Sequence, residues 1–230
     1  MDNLYSYLTQ AGEYMELMQV ILTSIFVSTT ATLVASVISL IVGIPFTINQ
    51  FKFKNNILRI TDTLMSVPPV LMGLVVFMLL SKKGPFGQYN LLFTPAAMIV
   101  AQTLLVLPII FNLTVKQIQN SAVKIQKTCL MLGGSNLDVL ILIIKECKNE
   151  IITAITTGFS RAISEVGAVM MVGGNIKGYT RVMTTYIALE TNKGNFDGAI
   201  KIGIVLLLIS FGINALLHLL KGRDANEYIY

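Results

Sequence analysis

Charge is scarce in this sequence: Asp, Glu, Lys and Arg make up 13% of its 230 residues, about half the share of a soluble globular domain. Hydrophobic residues account for 54%, and the mean hydropathy is +0.72. A soluble domain of this length needs far more charge to cover its surface. A soluble enzyme, a disordered tail and a secreted disulfide scaffold are excluded on these grounds, which leaves an integral membrane protein. Sulfur and imidazole chemistry are nearly missing too. The only cysteines, Cys129 and Cys147, form no C-x-x-C pattern, and the single histidine, His218, sits in the last apolar segment. No metal site is expected from them. The chain also lacks G-x-S-x-G, H-E-x-x-H and G-x-x-x-x-G-K-[ST]; the stretch from Gly173 to Gly178 has the wrong spacing for the last. No catalytic residue is expected, and if ATP drives this protein another chain must bind it. The net charge of +5 is scattered through loops with no dense basic run, so no nucleic-acid partner is expected. Residues 1–19 hold Asp2, Glu13 and Glu16 but neither Lys nor Arg, unlike the basic start of a signal peptide. Leu4, Tyr5, Leu8 and Ala11 recur at helical spacing, so residues 1–16 are expected to form an interfacial helix.

Crossing about 30 Å of hydrocarbon takes about twenty mostly apolar residues. Five segments qualify: Val20 to Ile48, Thr63 to Leu80, Thr94 to Val115, Ile151 to Val172, and Ala199 to Leu220. Ten basic residues fall on one side of these spans: Lys52, Lys54, Arg59, five lysines between Lys116 and Lys148, and Lys221 and Arg223 in the tail 221–230. Five fall on the other: Lys82, Lys83, Lys177, Arg181 and Lys193. The positive-inside rule makes the first side cytoplasmic, so the N-terminus is expected outside and the C-terminus inside.

Several spans carry polar or helix-breaking residues. Val67-Pro68-Pro69 and Pro108 predict either structural kinks or breaks beside a pathway. Ser28, Thr32, Ser36 (or Ala35), Ser39 and Gly43 share one face of the first span; Thr153, Thr157, Ser160, Ser164 and Gly167 share one face of the fourth. Such stripes suit close helix packing or a polar lining, and both uses are compatible. Arg161 and Glu165 stand four apart beside the second stripe, the spacing of a self-neutralising ion pair. Glu165 as a proton relay is the alternative. Asp62 reads as an interfacial or helix N-terminal residue.

The segment 116–150 decides the class. From Lys124 it reads KIQKTCLMLGGSNLDVLILIIKECKNEI. This resembles the coupling segment of ABC importer permeases, whose pattern is E-A-A, three residues, G, nine residues, I-x-L-P. The glycine falls on Gly133 and the isoleucine on Ile143; the triplet is Lys127-Thr128-Cys129, and Lys145-Glu146 stand where L-P is usual. RAISEVGAVMMVGGNI, from Arg161, is similar to the S-E-F-G-A signature of the molybdate and tungstate branch. MSVPPVLMGLVVFMLLSKKGPFG and LLFTPAAMIVAQTLLVLPII resemble the corresponding spans of the tungstate members, and the likeness runs over about residues 17–220.

The resemblance implies an all-α polytopic membrane protein of the type I ABC importer permease fold, with five transmembrane helices per chain in a transmembrane domain over 17–220. It implies a homodimer in the inner membrane working with two ATP-binding cassette subunits, which hold the ATP and Mg, and an extracytoplasmic oxyanion-binding protein. The cargo would be tungstate, with molybdate or sulfate as alternatives. A coupling helix near Ala122 to Leu137, with Lys127, Thr128, Cys129, Leu132, Gly133, Gly134 and Ser135 around its turn, would meet the ATPase. Thr157, Ser160, Ser164, Glu165 and Gly167 would line the pathway or gate. Lys177, Arg181 and Lys193 would attract the anion or dock the binding protein. The alternative of another class is an ion-coupled secondary transporter using Glu165, although no inverted repeat is visible.

Overall fold

The computed structural model describes residues 2–220, with side chains from residue 14 to residue 219; the tail 221–230 and the side chains of Leu4, Tyr5, Leu8 and Ala11 lie outside the described residues. Nine α-helices follow one another among these residues, with one short 3-10 turn and no strand. They are α1 (Asp2–Ile48), α2 (Lys54–Met65), α3 (Pro69–Leu80), α4 (Pro95–Met131), α5 (Asn136–Glu146), α6 (Lys148–Ile163), α7 (Gly167–Gly173), α8 (Met183–Asn192) and α9 (Phe196–Leu220). The expected N-terminal segment 1–16 is continuous with the first span in α1.

Three stretches are each long and apolar enough to cross a membrane: Tyr14–Ile48, Pro95–Met131 and Phe196–Leu219. At 1.5 Å per residue, α4 is about 55 Å long and outreaches a hydrocarbon core of about 30 Å. The face of α9 is almost wholly exposed, with Ile204, Leu207, Leu208 and Phe211 presented outward as lipid-facing residues are. The chain is an all-helical, multi-pass membrane protein.

The second expected span, Thr63 to Leu80, is broken. α2 ends at Met65, α3 begins at Pro69, and the two axes bend by 99°. Two prolines in sequence cause this. Each lacks an N–H, and a residue before proline is pushed out of the helical region, which leaves Pro68 extended at ψ 131°. Pro69 then starts α3 at the position where a missing N–H costs nothing. Pro108, by contrast, lies inside an unbroken α4. The fourth expected span is also divided, into α6 and the short α7, with Ser164 to Val166 between them.

The chain forms two compact units. The first comprises Met1–Ala31, Pro68–Gln102 and Ala162–Ser210. Its core gathers Val27, Val76, Ala97, Met98, Ala101, Ala168 and Val172. Small residues dominate because helix pairs in a membrane are held by van der Waals packing, which rewards close approach. At Gly73 a Cβ would lie 2.6 Å from the Cα of Ala168, so α3 and α7 touch backbone to backbone there. The second unit comprises Thr32–Val67, Thr103–Arg161 and, among the described residues, 211–220. Its core joins Ile44, Ile118, Ala122, Cys129, Val139, Ile143, Cys147 and Ile151. The hydroxyl stripe of the first span is buried: Ser28, Thr32, Ser36 and Ser39 are all sheltered from solvent. Within the second unit, Ser36 donates to the Thr32 carbonyl and Ser39 to that of Leu107.

Candidate functional site

The turn between α4 and α5 is closed by its own backbone. Leu132 N–H donates to the Thr128 carbonyl, Gly133 N–H to Leu130 and Gly134 N–H to Cys129 at 2.9 Å. These bonds satisfy the last carbonyls of α4, and they require a left-handed residue: Gly133 has φ +81°. Its missing side chain would point into open space, so backbone conformation rather than crowding selects glycine here. The helix thus stops at Met131, short of the expected Leu137. Ser135 then caps α5. Its hydroxyl accepts from Asp138 N–H at 3.3 Å, and the Asp138 carboxylate accepts from Ser135 N–H at 2.8 Å. That reciprocal capping box holds the Asp138 carboxyl below the usual carboxylate range, through the Ser135 hydroxyl first and its amide second.

Of the triplet Lys127-Thr128-Cys129, the first two are exposed and the third is buried. Leu132 is 83% exposed, and Met131, Leu137 and Ile141 are exposed beside it. The result is an apolar tip on a pinned turn, anchored by buried Cys129, Val139 and Ile143. Cys147, at the end of α5, is buried, and its thiol is pushed up to about 11 by that burial and by Glu150 and Glu146. It stays a protonated, unreactive thiol at neutral pH.

The break after α6 puts Glu165 in an unexpected setting. Its side chain is 5% exposed in total, whereas Ser164 and Val166 on either side are exposed. One carboxylate oxygen accepts from Ala168 N–H at 3.1 Å, serving an orphan donor of α7. The Glu165 carbonyl accepts from the Thr184 hydroxyl at 2.8 Å. Other ends here are satisfied in kind: Gln102 donates to the Ala162 carbonyl, Phe93 N–H to Val172 and the Thr180 hydroxyl to Gly173. Gly167 is half-buried at the start of α7.

Thr153 and Thr157, with Asn214 and His218 of α9, line a cavity of about 480 Å³ in the second unit. Ser160 meets Asn214 at 2.9 Å. Asn214 was missed by sequence reasoning, although two polar residues one turn apart in an apolar helix are a visible signal. Each threonine or serine hydroxyl has one proton. Thr153 donates it to the Asn149 carbonyl, Thr156 to Ile152 and Thr157 to Thr153. Toward the cavity these groups offer lone pairs, whereas an oxyanion needs donors.

The cations expected to meet an anion are paired with carboxylates. Arg181 and Lys177 both grip Glu16, at 2.6 and 2.7 Å. Arg181 is only 13% exposed and also donates to Asn175, so it is a clamp within the first unit. Lys193 pairs with Glu190 at 2.7 Å, and Asn195 donates to the other oxygen of that carboxylate. These bonds, Lys193 first, hold the Glu190 carboxyl below its ordinary range. The residues line a polar cavity of about 1100 Å³ together with Tyr186, Asp197 and Lys201. The partnership of Glu16 with residues so distant in sequence carried no sequence signal. Asp62 likewise proves to lie in the last turn of α2 rather than at a helix start, bonded to Lys116 at 2.6 Å and to Asn112. No group of side chains able to hold a metal ion occurs among the described residues.

The capping box makes a prediction. Ser135→Ala removes the cap and loosens the first turn of α5 by about 1 kcal/mol, which hydrogen exchange reads as roughly fivefold faster exchange at Asp138. Since the folded Asp138 carboxyl titrates below its ordinary 3.8, its contribution is complete above that value and is lost as pH falls through the lower, folded one. Intrinsic-rate-corrected exchange at the turn is therefore flat from neutral pH down to about 4, and rises below. Unchanged exchange in Ser135→Ala would show that the tip is held by something else.

No protein-family model matches the chain. Curated proteins do. It is 49% identical to the tungstate uptake system permease protein of Peptoclostridium acidaminophilum, over 88% of this chain and 89% of that one. It is 41% identical to the tungstate uptake system permease protein of Campylobacter jejuni, over 75% and 72% of the two chains. A probable anion ABC transporter permease protein of Haloferax volcanii is 37% identical over 84% and 85%. These relatives are transport subunits. The chain belongs to the ABC importer permease family that includes these tungstate uptake permeases.

Proposed function

We propose that this chain is the membrane-spanning subunit of an ATP-driven tungstate importer. The observation that carries the cargo is the 49% identity to a tungstate uptake permease over most of both chains. In this reading the chain forms a homodimer in the inner membrane, N-terminus outside, and crosses five times. α6–α7 supplies one broken crossing, and α3 lies in another whose cytoplasmic end turns aside into α2. Two cytoplasmic ATPase subunits bind ATP and Mg, and an external binding protein delivers the anion.

The coupling segment 116–150 presents the tip built on Lys127, Thr128, Cys129, Leu132, Gly133, Gly134 and Ser135 to the ATPase. An apolar, exposed knob on a turn pinned by its own hydrogen bonds suits a part that must transmit force without yielding. Thr157, Ser160, Ser164, Glu165 and Gly167 line the pathway or gate, and Arg161 and Glu165 serve as structural charges. Lys177 and Lys193 remain accessible enough to dock an acidic face of the binding protein, while Arg181 fixes the external loop through Glu16. Rocking of the dimer between inward- and outward-open states then moves the anion inward.

Calorimetry of tungstate, molybdate and sulfate with the co-encoded binding protein tests the cargo. Tight tungstate binding and weak sulfate binding are expected; tight sulfate binding without a tungstate signal overturns the assignment. Co-purification tests the coupling tip. Gly133→Trp places a bulky residue at φ +81° beside Leu132, and the variant is expected to insert normally but lose its ATPase. Stable ATPase binding by that variant sinks the tip as the docking point. Uptake tests the pathway: Ser164→Arg is expected to reach the membrane and to abolish transport, and normal uptake by it removes Ser164 from the path.

A further inference from the structure

No residue of α2 is buried. It is nevertheless fixed firmly at both ends. Lys54 donates to the Thr47 carbonyl at 2.6 Å and reaches that of Asn49 at 3.4 Å, which ties the start of α2 to the end of the apolar α1. At its other end Asp62 bonds Lys116 and Asn112 of α4. Lys54, Leu58 and Thr61 are half-buried, at the helical spacing of the face turned toward these neighbours.

A second face is apolar and open. Phe53, Ile57, Ile60 and Leu64 follow one another by four, three and four residues, and all are exposed, Phe53 by 63% and Ile60 by 60%. Lys52 and Arg59 are exposed, and among the described residues neither forms an ion pair. Open apolar surface rimmed by unneutralised cations, tied to the end of a membrane span, matches the composition of a helix lying in the lipid headgroup layer. The Lys54 bonds hold the start of α2 against the end of α1.

We propose that α2 is a binding surface for anionic phospholipid, with Phe53, Ile57, Ile60 and Leu64 entering the acyl boundary and Lys52 and Arg59 holding the phosphate. The charge complementarity selects an anionic headgroup over a zwitterionic one, because each basic side chain near the surface favours it by roughly fivefold. The surface belongs to this chain whatever cargo it carries, so its test stands apart from that of the transport reading.

The test uses the full chain reconstituted in phosphatidylcholine bilayers with or without phosphatidylglycerol. A nitroxide on Ile60→Cys reports its surroundings, with the unsubstituted chain setting the labelling background from buried Cys129 and Cys147. High collision with oxygen and low collision with a water-soluble nickel chelate is expected. In parallel, phosphatidylglycerol retained per chain after detergent extraction is expected to fall roughly twenty-five-fold in the Lys52→Gln, Arg59→Gln double variant and to be kept in Lys52→Arg, Arg59→Lys. A label open to nickel places the face in water, and a label shielded from both probes places it under a second protein surface. Either outcome overturns the proposal, as does unchanged phosphatidylglycerol retention in the double glutamine variant.

Discussion

Hydrocarbon supplies no hydrogen-bond partner to a peptide group, so any interruption of a membrane helix must be repaired by the protein itself. Among the described residues two helix breaks, α2–α3 and α6–α7, are each repaired in this way. At Val67 to Pro69 the prolines bring no donors to satisfy, and the Pro68 carbonyl accepts from Leu71 and Met72 to start α3. At Ser164 to Val166 the repair is made by side chains: Gln102 serves the end of α6 and Glu165 the start of α7. The two short helices that result, α3 and α7, lie in one unit and meet where Gly73 faces Ala168. A side chain at Gly73 would separate them, so the packing of these broken pieces depends on an absent methyl group as much as on the repairs.

The same requirement shapes the opposite design in α4, which runs through Pro108 without a break. Its length carries the chain from Pro95 to a turn whose tip, Leu132, is bare. Behind that tip the core of the second unit is continuous from Cys129 through Val139 and Ile143 to Cys147. A push on the turn is resisted by the bonds across Thr128 to Gly134 and by the Ser135–Asp138 cap, and it passes into that core instead of being absorbed locally. Close-packed interiors of this kind transmit displacement because they deform little.

Much of this was legible from composition and periodicity. Long apolar stretches predict α1, α4 and α9 because lipid enforces helices, and the turn at Gly133 is visible as a glycine pair followed by Ser and, three residues on, Asp. The break after Ile163 was not. No proline or glycine precedes it, and the i, i+4 spacing of Arg161 and Glu165 assumes a helix that in fact stops between them. The interrupting feature is a carboxylate whose stabilising partner, the amide of Ala168, exists only once the helix has broken. The proline pair at 68 and 69 posed the reverse difficulty, since a kink and a break begin from the same missing donors and differ only in what packs around them. Glu16 shows the limit most plainly: its two cations lie more than a hundred residues away, and only folding brings them to it.

The hydroxyl-rich face of α6 invites the idea of a chain of donors for a passing dianion, yet its bonding leaves those donors weak. Hydroxyls at 153, 156 and 157 give their protons to carbonyls one turn back. Redirecting any of them outward exchanges one bond for another and leaves the helix carbonyl with its ordinary backbone bond, so each is a reversible and weak donor. The cations Arg181, Lys177 and Lys193 are already engaged in ion pairs, the first two sharing Glu16 and the third on Glu190. The hydroxyls of α6 alone are weak donors to a tetrahedral anion and do not distinguish one from another. Discrimination between one oxyanion and another needs many converging donors around a closed site, and these described surfaces of the chain are built without one.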